Sequence, residues 1–203
     1  MTAVAQVKSY RTPTGPLELE AYYTHIRRGR PPEAAQLAEL RSRYEAIGGI
    51  SPLAERTRAQ LDAIAGALDA ADPGGWEVRL GQKHAAPFVE DGVAELVAAG
   101  VERIVGIVLA PHYSAASVGQ YHDRARAAAE AAGVPFDGNR SWHVLDELVR
   151  FQATALTATL ESMPAASKVV FTAHSLPERV LADDPYADQL HESATAIAAA
   201  AGL

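Results

Sequence analysis

Ile104-Val-Gly-Ile-Val-Leu109, inside the stretch Val101–Ala110, decides how this chain folds. It is an unbroken apolar run rich in β-branched residues, with Gly100 before it and Pro111 soon after. Such a run reads as a strand covered on both faces, the environment of a parallel sheet. Its neighbours agree. Pro87–Ala99 reads as a helix closing at Gly100, and Ala116–Ala132 as one closing at Gly133. Trp76–Leu80 reads as an earlier strand and Val134–Asn139 as a short later one. Val144–Met163 reads as a helix, Lys168–Ala173 as a second strong strand, and Pro185–Ala201 as a helix. Strands alternating with helices of this length imply βαβ units and an α/β fold with Rossmann-like parallel sheets.

The opening is less regular. Ala3–Tyr10 alternates loosely but carries Gln6 and Lys8, so it reads as a weak strand. A helix is expected from Pro16 through Tyr22 and Tyr23 to Ile26, with Gly29 beyond its end. Pro32–Ile47 places Leu37, Leu40, Tyr44 and Ile47 on one helical face, and Gly48-Gly49 stops it. Ser51 then suits an N-cap, with Pro52 at the first helical position and Leu53, Leu61, Ile64 and Leu68 as the apolar stripe.

Composition excludes several classes. The 203 residues are 48% hydrophobic and 21% charged, enough for one domain or one and part of another. No apolar run is long enough for a membrane span, and no secretory leader is visible at the N-terminus. Cysteine is absent, which removes disulfides, thiolate catalysis and Cys-ligated metal centres, and makes a cytoplasmic setting the default. A net charge of -7 without a basic run argues against nucleic-acid binding. Only Lys8, Lys83 and Lys168 are lysines, so nearly all the positive charge is arginine. Arginine offers a planar fork for carboxylates, although Ala-rich composition explains many arginines equally well.

Ligands in parallel α/β sheets sit beyond the C-terminal strand ends. Tyr10–Pro13, Gly81–His84, Pro111–Ser114 and His174–Pro177 are expected there. There are seven histidines, none in HxxxH or HExxH, so a single-motif zinc protease is out. His84, His112 and His174 follow expected strands; each reads as a ligand or as a hydrogen-bonded loop residue. His174 stands out because Ser175-Leu-Pro177 ends its strand sharply. A neutral imidazole there suits ferrous iron and also accepts a proton near neutral pH. Ser175 lacks a GxSxG elbow and reads as a turn residue. Tyr22-Tyr-Thr-His-Ile-Arg-Arg-Gly-Arg30 reads either as a basic helix end or as a carboxylate-binding rim. Neither GxGxxG nor GxxxxGK[ST] occurs.

Five stretches, in order, resemble the ferrochelatase family, which inserts ferrous iron into a porphyrin. They are Tyr22–Arg30, Ala46-Ile-Gly-Gly-Ile-Ser-Pro-Leu53, Val108-Leu-Ala-Pro-His-Tyr-Ser114, Thr172-Ala-His-Ser-Leu-Pro-Glu178 and Asp184-Pro-Tyr-Ala-Asp-Gln-Leu-His-Glu-Ser193. The first is similar to the branch that metallates coproporphyrin III. The resemblance implies a class II chelatase fold of two Rossmann-like domains, here 1–165 and the start of a second at 166–203, with the second incomplete. It implies that His174 binds incoming iron or takes pyrrole protons, and that Tyr10 faces the porphyrin metal from the other side. Thr12 falls in the family's Tyr-Gly-Thr-Pro, and Arg27, Arg43, Ser51 and Tyr121 match residues that contact propionates or an outer metal. Fe2+ is then a substrate, no organic cofactor is implied, and a monomer without nucleic-acid or membrane partners is expected.

Two departures accompany the match. Arg11 replaces a glycine beside the macrocycle, and Lys8 lies in a strand that is apolar in the family. The family chain also runs longer and brings an acidic motif that no glutamate here supplies. A chain of this length is therefore expected to be marginally stable and poorly active, with an unpaired strand edge at Lys168–Ala173. A non-catalytic porphyrin-binding remnant and a smaller cobalt–sirohydrochlorin chelatase are the alternatives; the second leaves the arginine-rich rim unexplained.

Overall fold

The structure is a computed structural model that describes residues 3–9, 13, 15–49 and 51–203. Tyr10, Arg11 and Thr12 lie outside the described residues. The elements in chain order are β1 (Ala3–Ser9), α1 (Leu19–Ile26), α2 (Ala34–Ala46), α3 (Leu53–Ala71), β2 (Trp76–Gln82) and α4 (Val89–Ala98). They continue with β3 (Ile104–Val108), α5 (Gln120–Ala131), β4 (Phe136–Asn139), α6 (Asp146–Glu161), α7 (Glu178–Leu181) and α8 (Tyr186–Ala200).

The sheet has four strands in the order β2-β1-β3-β4. β1 pairs in parallel with both neighbours, Val7 opposite Leu80 of β2 and Ile107 of β3. The weakest-looking strand in the sequence thus holds the centre of the sheet. The expected α/β class with parallel strands and flanking helices is what the chain forms.

Local chemistry accounts for these elements. In β3, Ile104, Gly106 and Val108 are buried while Val105 and Ile107 are half-buried, so neither face meets open water. On α4, Val89, Val93 and Leu96 follow one helical face and are all buried. Ala125 and Ala129 give α5 a buried face of small side chains. Gly138 in β4 is required by close approach: a Cβ there would stand 2.7 Å from the His122 ring.

The chain forms two compact units, Met1–Leu109 with Tyr121–Gly138, and Ala110–Gln120 with Asn139–Leu203. The first contains β1 to β3 and most of β4. In the second, α6 and α8 pack together, with Ala153 and Ile197 buried.

Two local expectations are corrected. Lys168–Ala173 is not a strand: it runs without ladder partners, and Val170 is 78% exposed. Its composition favours a strand, but a strand exists only beside another, and none is described within the second unit apart from the last residue of β4. Ser51 is not the N-cap of α3. Pro52 occupies that place, and the Ser51 Oγ accepts the Leu53 N–H at 3.3 Å from one residue earlier. The helix expected over Pro32–Ile47 forms as α2 and ends before Gly48-Gly49; none of its residues is fully buried, and Ile47 beyond its end is exposed.

Candidate functional site

In the first unit, chemistry-bearing side chains collect beyond the end of β2. Lys83 and His84 follow the strand directly, and α4 begins a few residues later. The Phe88 N–H donates to Asp91 Oδ2 at 2.6 Å, which satisfies an otherwise orphan donor at that helix start. His25, near the end of α1, meets His84: their Nδ1 atoms are 3.1 Å apart and the ring planes differ by 75°. The Phe88 ring stacks on His25 at 5.4 Å. A cavity of about 370 Å³ opens here, lined by Pro13, Glu18, Tyr22, His25, His84 and Phe88 among others.

One arginine fastens this corner. Arg124 on α5 forks onto Glu90 in the first turn of α4, Nε to Oε1 at 2.7 Å and Nη2 to Oε2 at 2.5 Å. Its Nη1 donates to the Lys83 carbonyl at 2.9 Å. The fork joins α4, α5 and the Lys83–His84 loop, with the planar geometry that arginine alone supplies. The hydrogen bonds from Arg124 hold the Glu90 carboxyl below its ordinary range. Burial, and then Arg124, lower the Lys83 ammonium, which lies 5.5 Å from the Tyr121 ring centre. Burial first, then Lys83, His25 and Arg124, push His84 down to about 4.

That shift makes a pH prediction. Between about pH 6.5 and 4 the unfolded chain protonates this imidazole while the folded chain does not. Stability is therefore undiminished above that window and falls as pH drops through it. For a partly solvated group the contribution is about 1–2 kcal/mol. His84→Gln should flatten the loss; urea midpoints at pH 7 and 4.5 check it, and an equal acid loss in both proteins refutes it.

The residues matched to the porphyrin rim are placed as follows. Arg27 ends α1 with its guanidinium 5.6 Å from the Tyr23 ring centre. Its Nε is buried without a hydrogen-bond partner among the described residues. A buried cationic donor left so is costly unless a group beyond the described residues accepts from it. Arg43 is exposed and pairs with Glu39 one turn earlier on α2. Ser51 is half-buried at the start of α3, and Tyr121 is buried on α5.

The second unit holds His112 and His174. The Ser193 Oγ donates to the His143 carbonyl at 3.0 Å and lies 2.8 Å from His112 Nε2. A hydroxyl has one proton, so His112 must donate through Nε2–H, which fixes its neutral tautomer. Burial, then nearby His143, lower the pKa of His112. His143 in turn sends Nε2–H to Glu192 at 2.6 Å. His174 is exposed, and the Tyr186 hydroxyl donates to its carbonyl at 3.3 Å. The Tyr186 ring also meets His112 edge-on at 6.2 Å. A cavity of about 400 Å³ is lined by His112, Phe171, Ala173, His191 and Ser193 among others.

Sequence reasoning missed the Arg124–Glu90 fork and the partnership of His25 with His84. Neither has a local signal, because the partners lie 34 and 59 residues apart. Among the described residues, no group of three or more His, Asp or Glu side chains is arranged to hold a metal. Among them, too, no helix is long and apolar enough to cross a membrane.

The first unit is a parallel α/β unit with imidazoles, a lysine and a guanidinium fork past a strand end, the place where such sheets hold ligands. Comparison with known proteins makes the class definite. The ferrochelatase family model matches residues 11–203, and the chain belongs to the ferrochelatase family. It is 42% identical to the coproporphyrin III ferrochelatase of Oceanobacillus iheyensis, over 94% of this chain and 63% of the relative. Its identity to the coproporphyrin III ferrochelatase of Bacillus subtilis is 43%, over 97% of this chain and 66% of the relative. That of Anoxybacillus flavithermus is also 43% identical, over 97% and 65%. The chain thus spans a little under two thirds of the length of these relatives.

Proposed function

We propose that the protein inserts ferrous iron into coproporphyrin III, as a lyase of haem biosynthesis. The observation that carries this is identity of 42–43% over nearly the whole chain to proteins named for that activity. Metallation replaces two pyrrole protons by Fe2+, so the site must admit the cation, accept two protons and hold a flat tetra-anion. In this reading His174 meets the iron or takes the protons, and Tyr10 faces the metal position from the other side of the ring. Thr12, Arg27, Arg43, Ser51 and Tyr121 hold the macrocycle and its propionates. The partnerless Nε of Arg27 supports an anion there, since a carboxylate would satisfy it. Iron is a substrate, and no organic cofactor enters. The division into 1–165 and 166–203, a cytoplasmic setting, a monomeric state, and the lack of nucleic-acid and membrane partners belong to the same proposal.

The test is anaerobic incubation of the purified protein with Fe2+ and coproporphyrin III, followed by the conversion of free-base to metalloporphyrin absorption. Turnover supports the proposal. Porphyrin binding without turnover makes the protein a non-catalytic binder instead. Neither binding nor turnover refutes both.

The rim gives a separate prediction. A charge-assisted contact to a carboxylate contributes about 1.5–3 kcal/mol. Arg27→Ala should then weaken coproporphyrin III binding roughly tenfold or more, as read by fluorescence quenching. Unchanged affinity in a folded variant removes Arg27 from the rim.

A further inference from the structure

His25 and His84 are brought together from α1 and the loop after β2, and their Nδ1 atoms are hydrogen-bond partners 3.1 Å apart. We propose that this pair is a cation site for borderline divalent ions such as Ni2+, Zn2+ or Fe2+, separate from His174. Imidazole nitrogens bind such ions at about 2.0–2.1 Å, and two of them 3.1 Å apart subtend roughly 100° at the metal. That angle serves adjacent positions of a tetrahedron or an octahedron. The rings meet edge to face, 75° apart in plane with centroids 5.3 Å apart, and a cation between them requires both rings to carry their proton on Nε2.

The pair is also held in place. Phe88 stacks on the His25 ring, and Arg124 grips the carbonyl of Lys83, next to His84. Ligand rings fixed by their surroundings lose little freedom on binding. The cavity of about 370 Å³ beside them has room for an ion with its waters, and it also presents Glu18. Two protein nitrogens leave several positions for water or an incoming ligand. The cations Lys83 and Arg124 act on His84 and weaken any metal there. The site therefore binds and releases rather than locks. Imidazole-only donors disfavour Mg2+ and Ca2+, which take oxygen.

The site is read without porphyrin, so its outcome is independent of the proposed activity. His174→Ala serves as the background, and Ni2+ is titrated calorimetrically at pH 7.5. One ion per chain is expected, with Mg2+ giving no heat. Adding His25→Gln or His84→Gln should each weaken Ni2+ at least tenfold, with thermal melts showing the fold retained. Should either change unfold the chain, His25→Asn and Phe88→Ala serve instead: the first must abolish the site, the second weaken it. Ni2+ binding that survives both histidine substitutions overturns the proposal, as does no binding below 1 mM in the background protein, taking about 1 mM as the weakest affinity that counts.

Discussion

Replacing His174 by alanine is expected to lower the rate of iron insertion at least a hundredfold while leaving coproporphyrin III affinity within about threefold. Val169-Val-Phe-Thr-Ala173 leads into His174 without helix or ladder, and Pro177 then caps the start of α7. The backbone at His174 is tied by the Tyr186 hydroxyl, while the imidazole is left exposed. An exposed imidazole on a tethered backbone is available to a cation or a pyrrole proton. Loss of a positioned proton acceptor costs about 10²–10⁴ in rate. In the proposed function the macrocycle is held by its carboxylates elsewhere, so affinity should hardly change. Single-turnover metallation with Fe2+, set beside porphyrin fluorescence quenching, separates the two quantities. Near-normal turnover in the variant removes His174 from the reaction.

Leu96→Ala is expected to be the most damaging change in the first unit. Leu96 is fully buried on α4 and shares its face with Val89 and Val93. Truncation there loses the transfer energy of the removed carbons and leaves a cavity, about 2–5 kcal/mol in well-packed cores. For a chain of this size that lowers the melting temperature by roughly 6–12 °C, taking about 3 kcal/mol as typical. Leu17→Ala is the control, because Leu17 is 97% exposed and should change stability by less than about 0.5 kcal/mol. Calorimetric melts of the two variants check the contrast. Equal small shifts would mean that the α4 face does not carry the core.

Much of the fold is legible where the signal is local. The apolar run Ile104–Val108 is long enough to be a strand and too short for a helix, and it forms β3. Val89, Val93 and Leu96 repeat at helical spacing and form the buried face of α4. The glycines that close helices are equally plain: Gly100 and Gly133 have φ of 75° and 72°, a region that a side chain resists. Lys168–Ala173 carries as good a strand signal as β3, yet forms no ladder. Composition states what a segment favours; hydrogen-bond partners come from elsewhere in the chain. β1 shows the converse: its sequence is interrupted by Gln6 and Lys8, yet it is central in the sheet because both β2 and β3 supply it with partners.

The candidate site divides in the same way. Five ordered motifs, each a run of adjacent residues, pointed to the family to which the chain belongs and offered His174 and the arginine-rich rim as candidates, because a motif of adjacent residues is legible before the chain folds. The tertiary structure alone decided that His25 meets His84 across 59 residues, that Arg124 forks onto Glu90 across 34, and that His112 leans on Ser193 across 81. Those contacts depend on which helix and strand ends the packed chain brings together, and on the burial that follows. Burial is also the first cause that lowers the pKa of His84 and Lys83, and Arg124 from α5 adds to both; neither the burial nor the approach of Arg124 is a property of a residue or of its neighbours in sequence.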